Sequence, residues 1–325
     1  MIQKIKRKLL QIIIRGARLA RIDSLFVRCG RVKPCVIAMV DGGLASQMWQ
    51  FSLGYAAAKK AGLPLYLDTT WFENCGVDLN GVRNRYFLLL EAFPAVAEYL
   101  AGRITTTDKI NPWFMRFFSD STKSRDLFDY SDDTLPAHSV RLGQYYCNCR
   151  YIQAHQQQLS ELFSINPRLS PYEKELADII NQTCSCALHI RKGDFVGSVH
   201  DVCSEGYYTE AMKEMLRRHP DVHFIVFTNN EAWSRDFVAR VGYANRCTVI
   251  ENRTEDNPVV DLWLMQQCKH AIISNSGFSF MPAFLSYSPE KTVITPEYWL
   301  RDENGSLRTD SKGAYLMNGW LSVTN

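Results

Sequence analysis

Short uninterrupted apolar runs alternate with longer stretches of helical spacing along most of this chain. Val36-Ile37-Ala38-Met39-Val40 shows no polar alternation, as a strand buried on both faces of a parallel sheet requires. After the turn Asp41-Gly42-Gly43-Leu44-Ala45, Met48, Phe51, Tyr55 and Ala58 recur at helical spacing. They predict a helix over 47–61, with Ser46 as N-cap and a stop at Gly62 and Pro64. Leu65-Tyr66-Leu67 then closes a strand–helix–strand unit. Further on, Ser170-Pro171-Tyr172-Glu173 reads as a capping box with proline at the first helical position. Strands are expected at 187–190, 224–228, 248–250, 272–274 and 293–295, with helices around 207–218, 231–241 and 258–269 between them. This alternation predicts an α/β fold with doubly wound parallel sheets. The interval 72–165 is less regular and richer in aromatics. Three segments result: a basic segment 1–33, an α/β domain 34–166, and a second α/β domain 167–325, divided near Asn166-Pro167. Ligands of such a pair are expected in the cleft between the domains.

Composition changes the picture only at the amino terminus. The chain of 325 residues is 46% hydrophobic and 22% charged, ordinary for globular domains. Residues 1–33, however, hold ten lysines and arginines against the single acid Asp23, a local charge of +9 in a chain of net +3 that leaves −6 for the rest. The apolar run Leu9–Ile14 is too short to span a bilayer and lacks a signal-peptide cleavage site. Its helical stripe beside basic residues fits a segment lying on an anionic membrane surface. The expected location is therefore cytoplasmic and peripheral, at the inner face of the cytoplasmic membrane. Ten cysteines form no C-x-x-C pair, so reduced thiols and no metal site are expected, and nothing in the charge pattern calls for nucleic acid.

Candidate chemistry gathers at three turns after expected strands. His189-Ile190-Arg191-Lys192-Gly193-Asp194 places a planar fork of donors and a point charge where open sheets bind anions. Gly42-Gly43 lets a ligand approach the backbone at a helix start. Asn275-Ser276-Gly277-Phe278-Ser279 offers hydroxyls and amides as a second phosphate cradle. Asp261, early in an apolar helix, suits the helix dipole, yet its carboxylate also matches the adjacent N1–H and amine donors of guanine. Asp132-Asp133 reads as a surface turn.

Taken in order, these segments resemble glycosyltransferase family 11, the α-1,2-fucosyltransferases. The resemblance rests on Gly42-Gly43-Leu44-Ala45-Ser46-Gln47-Met48-Trp49-Gln50, on His189–Asp194, and on Asp261 through Phe280 with Cys268-Lys269-His270 and Asn275-Ser276. It implies a GT-B architecture, two facing Rossmann-like domains with the active site in the cleft. It also implies metal-independent, inverting transfer of L-fucose from GDP-β-L-fucose to a galactose 2-hydroxyl. On that reading Arg191 balances the leaving diphosphate, with Lys192, Asn275, Ser276, Ser279, Gly42 and Gly43 assisting and His189 orienting the nucleotide. Asp194 is then either the base or the holder of Arg191, with His200, Asp201 and Glu205 as competing bases, and Gln47 is expected on the acceptor side. The acceptor would be a galactose-terminated glycan, lipid-linked if the basic segment serves bacterial surface polysaccharide (O-antigen or capsule) synthesis. Ala45-Ser46 for Gly-Asn, Lys192 for arginine and Met281-Pro282 for Trp-Gly depart from the family pattern. They leave room for another acceptor hydroxyl or another GDP-sugar; a non-catalytic nucleotide- or glycan-binding module is a separate alternative, against which the intact Arg191 cluster argues.

Overall fold

A computed structural model describes residues 34–74, 76, 77, 85–105, 128–131, 135, 140–143, 146–251 and 258–325. The basic segment 1–33 and the Asp132-Asp133 pair lie outside these residues. Among the described residues, no helix is long and apolar enough to cross a membrane. The described residues divide into two compact units, one within Met1–Leu90 and Val96–Tyr146, the other within Glu91–Ala95 and Cys147–Asn325. Both are parallel α/β sheets, as the apolar runs required.

In the first unit β1 (Val36–Met39) leads through α1 (Leu44–Ala61) to β2 (Leu65–Asp68), followed by the short β3 (Gly102–Ile104) and β4 (Val140–Leu142). The strand order is β3-β2-β1-β4 and every pair is parallel. Helix α1 starts three residues before the expected position. Gly42 takes the left-handed conformation (φ 68°), which turns the chain so sharply that Gly43, not Ser46, is the N-cap. The far end matches expectation, with Gly62 at φ 65° closing the last turn. Gly54, in mid-helix, is a packing glycine: a Cβ there would lie 2.7 Å from the Ala38 Cβ and 2.9 Å from Leu65.

After a single helical turn at Arg150–Gln153, the second unit continues with α2 (Gln156–Leu162) and α3 (Pro171–Gln182). It continues as β5 (Cys184–Ile190), α4 (Glu205–Arg218), β6 (Val222–Thr228), α5 (Glu231–Arg240), β7 (Cys247–Val249), α6 (Pro258–Gln267), β8 (His270–Ile272), α7 (Gly277–Leu285), β9 (Val293–Pro296) and β10 (Leu321–Val323). The capping box at α3 is complete: Ser170 Oγ accepts from Glu173 N and Glu173 Oε2 accepts from Ser170 N. Helix α2 belongs here, although it precedes the expected Asn166-Pro167 junction. Its Gln156 Nε2 donates to the carbonyls of Phe284 and Tyr287, and Ser160 Oγ to that of Leu285, satisfying carbonyls at the end of α7.

The order of the six strands is β10-β9-β8-β5-β6-β7. From β5 the chain moves outward through β6 and β7, then returns to β8 on the other side of β5. The loops after β5 and β8 therefore diverge at a topological switch point, where open sheets form a ligand crevice. Helix α4 closes one face with Tyr207, Tyr208, Ala211, Met212 and Met215, fully buried against Leu188, Ile190, Val226 and Ile272. Each such large side chain contributes about 1.5–3 kcal/mol.

Candidate functional site

The switch point of the second unit brings the His189 and Asn275 motifs together. Strand β8 was expected over 272–274 but ends at Ile272, with Leu188 its partner on β5. Ser274 thus leaves the ladder, and its Oγ lies 2.8 Å from His189 Nδ1. His189 is buried, and desolvation, reinforced by Arg191 and opposed by Asp194, lowers its pKa to about 3. The ring is neutral at physiological pH, so it serves as a dipole and hydrogen-bonding group rather than a cation.

Arg191 emerges directly from β5. Its Nη2 donates to Asp194 Oδ2 at 2.7 Å, and its guanidinium lies 5.3 Å from the Phe195 ring centre. Among the described residues, the buried Arg191 Nε has no hydrogen-bond partner. A buried N–H without an acceptor costs about 1–3 kcal/mol and is relieved by an anion. Lys192 is more constrained, its Nζ held 3.0 Å from Asp201 Oδ1.

Two asparagines after β6, not anticipated from the sequence, build the loop. Asn229 Oδ1 accepts from Lys192 N at 2.9 Å, and its Nδ2 donates to Asp194 Oδ1 at 3.1 Å. Asn230 caps α5 and donates through Nδ2 to Lys192 O. This explains Gly193, where an added Cβ would lie only 2.4 Å from Asn229 Nδ2. Gly193→Ala is therefore expected to expel the Asn229 amide and weaken anion binding at the Arg191 turn about 10-fold or more while the melting temperature changes little. Titration of a diphosphate ligand beside a thermal melt checks this; unchanged affinity contradicts it. Tyr207 and Tyr208 add anchors from α4, one hydroxyl donating to Ile273 O and the other accepting from Arg191 N.

The third motif divides its labour. Ser276 caps α7 and accepts from Phe278 N, so that helix N-terminus opens beside His189, whose ring centre is 5.9 Å from that of Phe278. Ser279 turns inward, its Oγ donating to the carbonyls of Ser274 and Ser276. Asn275 is not a phosphate ligand in this arrangement. Its Nδ2 donates to the carbonyls of His200 and Trp299, and its Oδ1 accepts from Cys203 Sγ. The side chain ties three segments around the crevice instead. Asp261 stands half-buried in the first turn of α6. Because α6 runs back toward the start of β8, that turn lies at the same carboxyl edge as Arg191.

In the first unit Gly42 and Gly43 form the turn after β1, but Gln47 does not serve as expected. It is fully buried; Nε2 donates to the Gly42 and Tyr86 carbonyls, and Oε1 accepts from the Leu88 and Leu89 amides. An amide side chain has two donors and an acceptor with two lone pairs, so Gln47 has no capacity left for an acceptor sugar. Gln50 similarly exchanges two hydrogen bonds with Asp41. Both glutamines brace the glycine turn.

At the opposite, amino edge of the second sheet, single ligand atoms of Cys184, His219 and His270 lie within 4.8 Å of one another. His270 Nδ1 accepts the Thr292 amide at 3.1 Å, which leaves the proton on Nε2. Neither nitrogen of that ring presents a lone pair for a metal as arranged.

The family model described as glycosyl transferase family 11 matches residues 91–323. The chain belongs to glycosyltransferase family 11. An α-1,2-colitosyltransferase of Escherichia coli is 28% identical over 281 residues, 82% of this chain and 93% of the relative. The O-antigen biosynthesis glycosyltransferase WbnK of Escherichia coli is 24% identical over 87% of this chain and 99% of the relative. A galactoside α-(1,2)-fucosyltransferase 2 of Oryctolagus cuniculus is 23% identical over 87% of this chain and 75% of its own. The family 11 model covers the His189 and Asn275 motifs, whereas the glycine turn lies before it. The family 11 chain is a glycosyltransferase related to fucosyl- and colitosyltransferases.

Proposed function

We propose that this glycosyltransferase moves L-fucose from GDP-β-L-fucose to the 2-hydroxyl of a galactoside, with inversion and without a metal. The observation that carries this reading is the Arg191 fork, held by Asp194 and left at the switch point with a buried Nε–H that is unsatisfied among the described residues. In such a displacement negative charge develops on the leaving diphosphate. A preorganised guanidinium and the N-terminus of α7 stabilise that charge without reorganising. Neutral His189, fixed by Ser274, adds a dipole without competing for the phosphate. Asp261, at the same edge, accepts from the N1–H and exocyclic amine of guanine, a donor pair that adenine lacks. Asp194 acts by holding Arg191, because its carboxylate already accepts from that guanidinium and from Asn229.

A second reading replaces the donor by GDP-L-colitose, the 3-deoxy relative of fucose, on the strength of the Escherichia coli colitosyltransferase. A donor panel of GDP-L-fucose, GDP-L-colitose and GDP-mannose with β-galactosides, assayed in EDTA, decides between them. Product from fucose with a new α-1,2 linkage is expected. Product from colitose alone moves the second reading forward, and no product from either sinks both.

A further inference from the structure

Inverting transfer needs a group to take the proton from the attacking hydroxyl, and four side chains in or next to the loop after β5 are chemically able to do so. Three are occupied by cations. Asp194 is bound to Arg191, Asp201 is bound to Lys192 Nζ and the Gly197 amide, and Glu205 pairs with Arg240 at 2.9 Å. Burial raises the Asp201 pKa, but the Gly197 amide and Lys192 outweigh it and hold the carboxyl below its usual range, making it a weaker base. The remaining group is His200. Its backbone is fixed, with N donating to Ser198 Oγ and O accepting from Asn275 Nδ2, while its ring nitrogens have no hydrogen-bond partner among the described residues.

We propose that His200 is the general base of the transfer reaction, an assignment that rests on the GDP-sugar reading above. The ring lies in the exposed part of the loop, stacked on Phe195 at 4.9 Å and 26°. The same Phe195 ring carries the Arg191 guanidinium at 5.3 Å. Base and diphosphate-binding cation thus pack against one and the same ring. An in-line displacement, with leaving oxygen, anomeric carbon, incoming oxygen and base nitrogen in sequence, spans on the order of 7–9 Å. The motif-three asparagine acquires a purpose here: Asn275 pins the His200 carbonyl and thereby sets the base loop against the α7 terminus.

In the step itself, a His200 ring nitrogen takes the acceptor hydroxyl proton as the hydroxyl oxygen bonds to the anomeric carbon. The bond from that carbon to the phosphate oxygen breaks, and its electron pair leaves on GDP opposite Arg191. The imidazolium then releases its proton to water. Desolvation lowers the His200 pKa from its ordinary value and Asp194 opposes this, so the free ring is neutral near pH 7. The other charges of this loop and its neighbour are Arg191, Lys192, Asp201 and Arg301, whose Nε donates to Asp201 O. Activity is accordingly lost on the acid side, as pH falls through the His200 pKa.

The test compares wild type, His200→Gln and His200→Ala for transfer, its pH profile and GDP affinity. The expected result is a fall in kcat of about 10²-fold or more with GDP affinity held within about twofold. The acid limb should disappear, and added imidazole should restore part of the rate of His200→Ala. A variant that transfers within about fivefold of wild type, or loses GDP affinity as much as rate, overturns the proposal. Failure of the donor reading is separately visible, because wild type would then neither bind GDP nor yield product, and the assignment would fall with it.

Discussion

Replacing Arg191 with alanine is expected to lower kcat/KM for GDP-sugar transfer by about 10³-fold, the largest effect of any single change at the switch point. The fork leaves β5 with Nη2 fixed by Asp194 and Nε buried without a partner among the described residues, so its geometry exists before the ligand arrives. Each charge-assisted hydrogen bond to the diphosphate is worth about 1.5–3 kcal/mol. Loss of two such bonds weakens GDP binding by roughly 10²–10⁴-fold. Arg191→Lys retains charge but not the fork, and should fall between wild type and alanine. Lys192→Ala is expected to cost less, since that ammonium is already engaged by Asp201. Steady-state kinetics beside GDP titration measures both; an Arg191→Ala enzyme within tenfold of wild type contradicts this role.

Gln47→Ala is expected to destabilise the first unit by about 3–5 kcal/mol, a large effect for a single polar side chain. Four main-chain groups lose their partner at once: the Gly42 and Tyr86 carbonyls and the Leu88 and Leu89 amides. Each buried group left unsatisfied costs about 1–3 kcal/mol, reduced where water enters. Gln47→Glu should do little better, because it sets carboxylate oxygen against two carbonyls. Denaturant unfolding reads the change. A side chain in contact with acceptor sugar would instead raise the acceptor KM and leave stability unchanged, so that outcome would restore the acceptor-side role.

The contrast between these residues shows what the linear pattern holds. Strands β5, β6 and β9 are legible because they are buried on both faces and therefore predominantly apolar. The capping box at Ser170 was legible because its partners are three residues apart. Arg191 and His189 were found for the same reason: a cationic turn after an apolar run is a local signal. Gln47 was not, since its use depends on carbonyls and amides some forty residues away. Asn275 resembles a phosphate ligand in the sequence because an amide after a strand looks alike whether it faces a ligand or braces a loop. Asn229 and Asn230 were hidden in the same way, although Gly193 held the hint, a glycine inside a charged turn that a neighbouring side chain must approach closely. The strands β3 and β4, three residues each, carry too short a pattern to stand out from the aromatic-rich interval around them.

The glycosyltransferase reading places a guanine nucleotide diphosphate on the carboxyl edge of the second sheet, with Arg191 on the phosphates and Asp261 on the base. Calorimetric titration of GDP, UDP and ADP into the full-length enzyme in EDTA tests this most directly. Selective GDP binding, abolished by Arg191→Ala and relaxed toward the other nucleotides by Asp261→Ala, is the predicted result. Equal affinity for the three diphosphates, or binding that survives loss of Arg191, would contradict it.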